Sequence, residues 1–247
     1  MKETIDMVRT RTDLPVVKNN LYTKFGKRIF DIVLSGIGIL VLSPVLFLIA
    51  VLELIFHGRP ILYIDKRPGF NGVIFSVYKF RTMTDATDST GELLHPSKRI
   101  TPFGRFLRRT SLDELASLFN VLNGTMSVIG PRPLMVDYLP HYSERHMYRH
   151  SVKPGLACWK LDGEDKLTPA TWTWNDQFEN DIFYVENVSL WLDIRIIIKT
   201  FKIAFSSSEM RTNSDRVKFN GANLNETRPR SQILELEGQA HSDLPAN

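Results

Sequence analysis

The sequence predicts an α+β fold, mostly helical with a small β-hairpin, fronted by a long apolar helix suited to a membrane. Three observations predict it. The stretch from Ile29 to Phe56 is apolar and carries no charge between Ile32 and Leu52, about the length a helix needs to cross a bilayer core. Two runs rich in β-branched and aromatic residues flank the turn signal Pro68-Gly69-Phe70-Asn71-Gly72. Most of the rest places apolar residues at helical spacing.

Composition narrows the class. The chain has 247 residues, of which 43% are hydrophobic, with a net charge of +4. That length allows one sizeable domain with appendages. The mild basicity suits anionic partners such as phosphates or an anionic membrane face. Cys158 is the single cysteine, which excludes an internal disulfide framework and fits a reducing compartment. No P-loop, GxGxxG or zinc spacing occurs, and no recognition motif supports a nucleic-acid partner. Residues 1–21 are polar and mixed in charge and read as a flexible lead without a secretory signal.

The apolar helix has three readings from its residues: a re-entrant helix, a single crossing, and a buried core helix of a soluble protein. Ser43-Pro44 lies near its centre, where proline removes a helical donor and kinks the chain, and the serine hydroxyl can satisfy part of the freed backbone. Lys24, Lys27 and Arg28 precede the stretch; Arg59, Lys66 and Arg67 follow it. Positive charge marks the cytoplasmic side, so a kinked helix that enters and leaves by one face fits. A single crossing with a proline kink fits the same pattern. Asp31 and Glu53, near the two ends, prefer the headgroup level.

The body follows. Residues 60–64 and 72–80 read as a hairpin that delivers Lys79 and Arg81, at alternate strand positions, to one face. Residues 84–102 are loop-like. Phe103 to Arg109 is a basic amphipathic turn able to lie at an interface. A helix is expected over 111–122, where Ser111 and Glu114 have the spacing of a capping box. In Gly130-Pro131-Arg132-Pro133 two prolines restrict the backbone around an arginine, which suits a pre-positioned phosphate contact. Residues 153–175 read as irregular, and all four tryptophans lie between positions 159 and 191. Val188 to Phe205 reads as a second interfacial helix with Ser189 as its N-cap. His141, His146 and His150 read as surface residues, and the chain beyond about residue 220 as a polar tail.

The residues that carry chemistry are Asp113 and Glu114, in Arg108-Arg109-Thr110-Ser111-Leu112-Asp113-Glu114-Leu115. Paired acids beside cations suit metal-assisted phosphate chemistry. The alternative is an ordinary helix start in which both acids only serve the backbone and the dipole.

Several ordered blocks resemble one family. They include Lys27-Arg28-Ile29-Phe30-Asp31, Leu42-Ser43-Pro44, Lys79-Phe80-Arg81-Thr82-Met83, Thr110-Ser111-Leu112-Asp113-Glu114-Leu115, Gly130-Pro131-Arg132-Pro133, Lys153-Pro154-Gly155 and Ser189-Leu190-Trp191-Leu192-Asp193. In this order, over about residues 22 to 220, they resemble the bacterial sugar transferases, or monotopic phosphoglycosyl transferases. The resemblance implies transfer of a sugar-1-phosphate from a UDP-sugar to a polyprenyl (undecaprenyl) phosphate, with UMP released, at the cytoplasmic face of the bacterial inner membrane. It implies a re-entrant helix over 22–58, broken at Ser43 and Pro44, and a catalytic domain over 59–220, with the tail over 221–247. Asp113 takes the role of nucleophile, forming an aspartyl phosphosugar, and Glu114 that of Mg²⁺ ligand. Lys79, Arg81 and Arg132 match positions that hold phosphate or substrate, and Asp193 one that supports the site. Membrane lipids, and downstream glycosyltransferases that extend the glycan, are the implied partners.

Two departures stand out. Leu115-Ala116 replaces the family's usual Leu-Pro, and Glu164 replaces a usual arginine in a lengthened segment that runs to Trp174. The charge reversal at Glu164 leaves open a second reading, a catalytically weak member that acts as a membrane-bound assembly factor for glycan enzymes.

Overall fold

The computed structural model describes residues 16–159, 173–205 and 219–225. The first 15 residues, Glu164 with its segment, Trp172, and residues 226–247 lie outside the described residues.

The longest element is helix α1, Lys27–Phe56, entered through a π-helical turn at Tyr22–Gly26. Pro44 has no N–H to give Leu40, its partner four residues back. The hydroxyl of Ser43 donates to that same Leu40 carbonyl at 2.8 Å. One helix thus runs through the proline, with Ser43-Pro44, the place where the sequence reading puts the kink, interrupting one backbone hydrogen bond.

One face of α1 meets the body along its length. Lys27 reaches Asp193 at 2.7 Å, and Asp31 accepts from Ser127 Oγ at 2.8 Å and from Val128 N at 2.9 Å. Gly38 lies against Leu118. Leu46 and Ile49 share a cluster with Phe80, Leu107 and Ala116. Buried Glu53 pairs with His57 at 2.9 Å, and His57 Nε2 lies 2.8 Å from Thr101 Oγ1. These contacts are spaced by one or two helical turns, which keeps them on one helical face. The opposite face is bare: Leu40, Val41, Phe47, Leu48 and Ile55 are between 56% and 75% exposed. An apolar surface this continuous marks a membrane or partner contact, and α1 is long and apolar enough to cross a membrane.

The hairpin forms as expected. Strands β1, Leu62–Pro68, and β2, Ile74–Phe80, pair antiparallel from Leu62 opposite Phe80 to Pro68 opposite Ile74. The turn between them needs left-handed backbone at Asn71 (φ 54°) and Gly72 (φ 74°), which asparagine and glycine tolerate best. The edge of β2 is closed by a side chain: Asn120, buried, accepts from Tyr78 N at 2.9 Å and donates to Ser76 O at 2.7 Å.

Helix α2, Pro102–Thr110, starts at Thr101, whose hydroxyl accepts from Gly104 N at 2.9 Å. The helix expected over 111–122 is two pieces, a 3₁₀ turn at Leu112–Ser117 and helix α3, Leu118–Asn123. Strand β3, Ser127–Ile129, then pairs in parallel with β4, Gly155–Ala157, inside the region read as irregular. Short strands carry little sequence pattern; here the close approach of two glycines makes the pairing. A Cβ on Gly155 would lie 2.1 Å from Gly130 N, and one on Gly130 would lie 2.3 Å from Lys153 O. Helices α4, Trp174–Asn187, and α5, Leu190–Phe205, complete the body, and Ser189 Oγ accepts from Leu192 N at 3.3 Å in its expected capping role.

One expectation is corrected. His146 and His150 are buried, not surface residues; His146 stacks on Phe178 at 4.2 Å between centroids and His150 on Tyr142 at 5.9 Å. Imidazole faces pack like other aromatic rings once a carbonyl or neighbour satisfies a nitrogen. Phe219 packs among Tyr138, Trp174 and Phe178, and Leu224, within the stretch read as tail, joins that cluster and accepts from Asn175 N at 3.0 Å. Of the tryptophans, Trp159 and Trp174 are buried in the core, with Arg195 and Lys199 over the Trp159 ring, and Trp191 of α5 is 73% exposed.

Because backbone cannot yield at the β3–β4 contact, Gly155→Ala is expected to cost about 1–3 kcal/mol, the usual range for overpacking. Thermal unfolding of the detergent-solubilised chain measures it; an unchanged midpoint would show that the strands can separate freely.

Candidate active site

Helix α2 ends at Ser111 in left-handed backbone (φ 57°, ψ 21°), a conformation that residues with a Cβ adopt sparingly. The reversal throws the next residues into the tight 3₁₀ turn that carries Asp113 and Glu114. Ser111 makes no side-chain cap; its N–H donates to Arg108 O at 3.3 Å and its carbonyl accepts from Glu114 N at 3.2 Å. The capping box is thus not formed, and the Glu114 carboxylate is released for other partners.

Those partners come from distant segments. Arg132 Nη2 lies 2.5 Å from Glu114 Oε1 and Nη1 lies 3.4 Å from Oε2, a fork-to-carboxylate pairing. Lys79, from β2, places Nζ 3.7 Å from Glu114 Oε1 and 3.7 Å from Asp65 Oδ2, its diagonal neighbour on β1. Asp113 is half-buried. Burial pushes its carboxyl above the usual carboxylate range, and the charge of Glu114 pushes the same way, while Lys79 and Arg108 pull it back. Two acids and three cations, Lys79, Arg108 and Arg132, therefore converge on one patch.

The donor set fits magnesium. Among the described residues no group of three or more His, Cys, Asp or Glu could hold a metal ion. Magnesium takes one or two carboxylates and completes its shell with water and substrate phosphates, which is what Asp113 and Glu114 offer beside cations that attract phosphate.

Arg132 is held from behind. Fully buried Arg149 donates to Arg132 O at 2.6 Å, pairs with Asp181 at 2.7 Å and reaches Tyr142 Oη at 3.2 Å. Sequence reasoning missed Arg149, since nothing in its local pattern separates it from the solvated cations nearby. Asn120 stands in a block that resembles the family, Phe119-Asn120-Val121-Leu122, but its role was not read there: it seats α3 against the strand that carries Lys79.

Asp193 and Arg81 are not brought to the patch. Asp193 is completely buried and takes three donors, Tyr22 Oη at 2.5 Å, Lys27 Nζ at 2.7 Å and Tyr184 Oη at 2.8 Å. Lys27 and Tyr184 also donate to Ile129 O, at 2.9 and 3.2 Å. With both oxygens engaged and none exposed, Asp193 does not contact substrate as placed; it fixes the strand that leads into Gly130–Arg132. Arg81 pairs with Asp85 and donates from Nε to Met83 O at 3.1 Å. It leaves the face of Lys79 because β2 ends at Phe80 and the chain turns there.

His150 lines a narrow crevice with Arg132, Pro131 and Pro133. Its Nδ1 lies 3.0 Å from the Gly69 carbonyl, so Nδ1 carries the proton and the ring is neutral. Burial, with Arg149 beside it, lowers its pKa to about 4. A histidine whose folded pKa lies below its unfolded value stabilises the fold above the unfolded value, and that share is lost as pH falls. From pH 6.5 to 4 the His150 share amounts to ~3 kcal/mol. Chemical denaturation across that window is expected to show a fall in stability that His150→Gln flattens; an equal fall in both would assign the acid sensitivity to other groups.

Comparison with known proteins gives the family. Residues 22–207 match the family described as bacterial sugar transferase. An uncharacterized sugar transferase, EpsL, of Bacillus subtilis (strain 168) is 44% identical over 191 residues, covering 76% of this chain and 91% of its own. The UDP-glucose:undecaprenyl-phosphate glucose-1-phosphate transferase of Xanthomonas campestris pv. campestris is 38% identical over 191 residues, covering 74% of this chain and 40% of its own. The undecaprenyl-phosphate galactose phosphotransferase of Salmonella typhimurium (strain LT2) is 37% identical over 208 residues, covering 76% and 42%. The chain thus spans most of EpsL and about two fifths of the length of the two longer relatives.

Proposed function

The chain belongs to the bacterial sugar transferase family, and from that premise we propose that it transfers a sugar-1-phosphate from a UDP-sugar to undecaprenyl phosphate, releasing UMP and starting a surface glycan. The observation that carries this reading is the convergence of Asp113 and Glu114 with Lys79, Arg108 and Arg132 from separate elements. Relatives named as glucose and galactose phosphotransferases to undecaprenyl phosphate support the substrate class.

The chemistry follows from the residues. A carboxylate oxygen of Asp113 attacks the sugar-linked phosphorus, and the bond from that phosphorus to the bridging oxygen breaks. UMP leaves with the electron pair, and a phosphosugar ester remains on Asp113. An oxygen of the lipid phosphate then attacks the same phosphorus and frees the carboxylate, giving a sugar-linked lipid diphosphate. Approach of a carboxylate to a diphosphate is opposed by like charge, and Lys79, Arg108 and Arg132 offset it. Glu114, with Asp113, is the residue that would hold Mg²⁺, which neutralises charge developing on the diphosphate when bound. Asp193 and Arg149 act at one remove, by fixing β3 and the backbone of Arg132.

The membrane disposition fits a re-entrant α1 at the cytoplasmic face. A crossing helix would carry Lys27–Asp31 and Glu53–His57 to opposite sides of a core about 30 Å thick. Both ends instead make polar contacts with one body, through Ser127 and Asp193 at the first and Thr101 at the second. The bare apolar face of α1 and exposed Trp191 and Phe201 of α5 suit insertion from one side.

UMP release from a panel of UDP-sugars, with undecaprenyl phosphate and Mg²⁺, tests the reaction. The wild type is expected to release UMP with one or a few donors, and Asp113→Asn to lose at least about 10³-fold, as removal of a nucleophile does. Equal release by both would remove Asp113 from the mechanism. For the topology, Lys18→Cys and Arg59→Cys in a Cys158→Ser background are expected to react with an impermeant thiol reagent from the cytoplasmic side alone. Labelling of the two from opposite sides would establish a crossing.

A further inference from the structure

Both carboxylate oxygens of Glu114 are occupied. Oε1 receives Arg132 Nη2 at 2.5 Å and lies 3.7 Å from Lys79, and Oε2 receives Arg132 Nη1 at 3.4 Å. The group best suited to hold the metal is thus gripped by the group best suited to hold the diphosphate. A metal cation that takes Glu114 competes with the guanidinium for the same carboxylate charge, and an arginine fork takes phosphate oxygens as readily as a carboxylate.

We propose that the Arg132–Glu114 pair is a latch that makes metal binding depend on the nucleotide diphosphate. This rests on the reading of Glu114 as the metal ligand. Without a nucleotide, Arg132 closes on Glu114 and the protein holds divalent metal weakly. An arriving diphosphate takes the guanidinium, Glu114 is freed, and the metal binds between the carboxylate and the phosphates. By thermodynamic reciprocity the metal strengthens nucleotide binding by the same factor. The latch can be drawn open because it sits at the surface: the Arg132 side chain is 40% exposed and the Glu114 side chain 22%. Its backbone is fixed all the same, by Arg149 on the Arg132 carbonyl and by prolines on both sides. The guanidinium therefore moves while its anchor stays, and Arg132 is returned to the same carboxylate when product leaves. A latch of this kind keeps metal from settling on the acid pair before a donor is present.

The test is metal affinity, with no turnover involved. Mn²⁺ is titrated into the full-length chain in detergent without nucleotide, and free Mn²⁺ is read by electron paramagnetic resonance. Arg132→Lys keeps the charge and loses the fork, and it is expected to bind Mn²⁺ about tenfold tighter than wild type, within the usual range of coupling between sites. Lys79→Gln removes a charge at a similar place without touching the grip, and its gain is expected to be smaller. An unchanged affinity in Arg132→Lys, or an equal gain in Lys79→Gln, would overturn the latch and leave simple charge repulsion. Arg132→Gln provides a second opening of the latch should the lysine variant fold poorly, and no gain there would overturn it equally. Glu114→Gln separates the two readings: it is expected to abolish Mn²⁺ binding, and Mn²⁺ binding equal to wild type there would remove Glu114 as the metal ligand, whatever Arg132 does.

Discussion

The buried carboxylate of Asp193 is the joint on which the rest of the molecule depends. It gathers Tyr22, Lys27 and Tyr184 within 2.8 Å, so one group ties the entry of the membrane helix to α4 and α5. Two of those donors are shared with the Ile129 carbonyl, the last residue of β3. A buried charge is tolerated only when its partners compensate for lost hydration, and this geometry supplies a cation and two hydroxyls. Removing any one of them would leave the others uncompensated, so the joint is rigid by necessity.

From that joint the order of assembly is short. Asp31 repeats the device one turn along α1, accepting from the hydroxyl and backbone of β3. Gly130 follows β3 directly, and its close approach to Lys153 and Gly155 sets the direction in which Arg132 leaves the strand. Arg149, paired with Asp181, then clamps the Arg132 carbonyl. On the other side, Asn120 and Ser117 fasten the 3₁₀ turn to β2, so Lys79 and Glu114 keep their spacing. The long apolar helix and the acid pair are thus connected through backbone hydrogen bonds and buried ion pairs.

The electrostatic design of the patch is close to balance. Asp113 and Glu114 repel, and burial raises the cost of that repulsion; Lys79, Arg108 and Arg132 offset it. In the proposed reaction these cations attract the diphosphate and leave a carboxylate oxygen of Asp113 able to attack. The left-handed turn at Ser111 serves the same end, since it takes the acids out of a regular helix start, where they would have been consumed in capping backbone donors.

Much of this was legible in the sequence because it depends on local pattern. The apolar run, the Ser43 repair of Leu40, the hairpin with its Asn71-Gly72 turn, and Ser189 as a cap are each set by residues within a few positions of one another. The acid pair and the proline-flanked Arg132 were legible as ordered blocks shared with a family. What only tertiary structure decided is how distant residues meet. Asp193 reads as a first-turn acid until Tyr22 and Lys27 close over it, Arg149 and His150 read as solvated until α4 buries them, and Arg81 reads as a partner of Lys79 until β2 ends one residue too soon. A β3–β4 pair of three residues each has too little periodicity to be seen. Local propensity acts over one turn of chain, whereas burial, charge compensation and the grip of Arg132 on Glu114 depend on segments many residues apart, which the order of residues alone does not bring together.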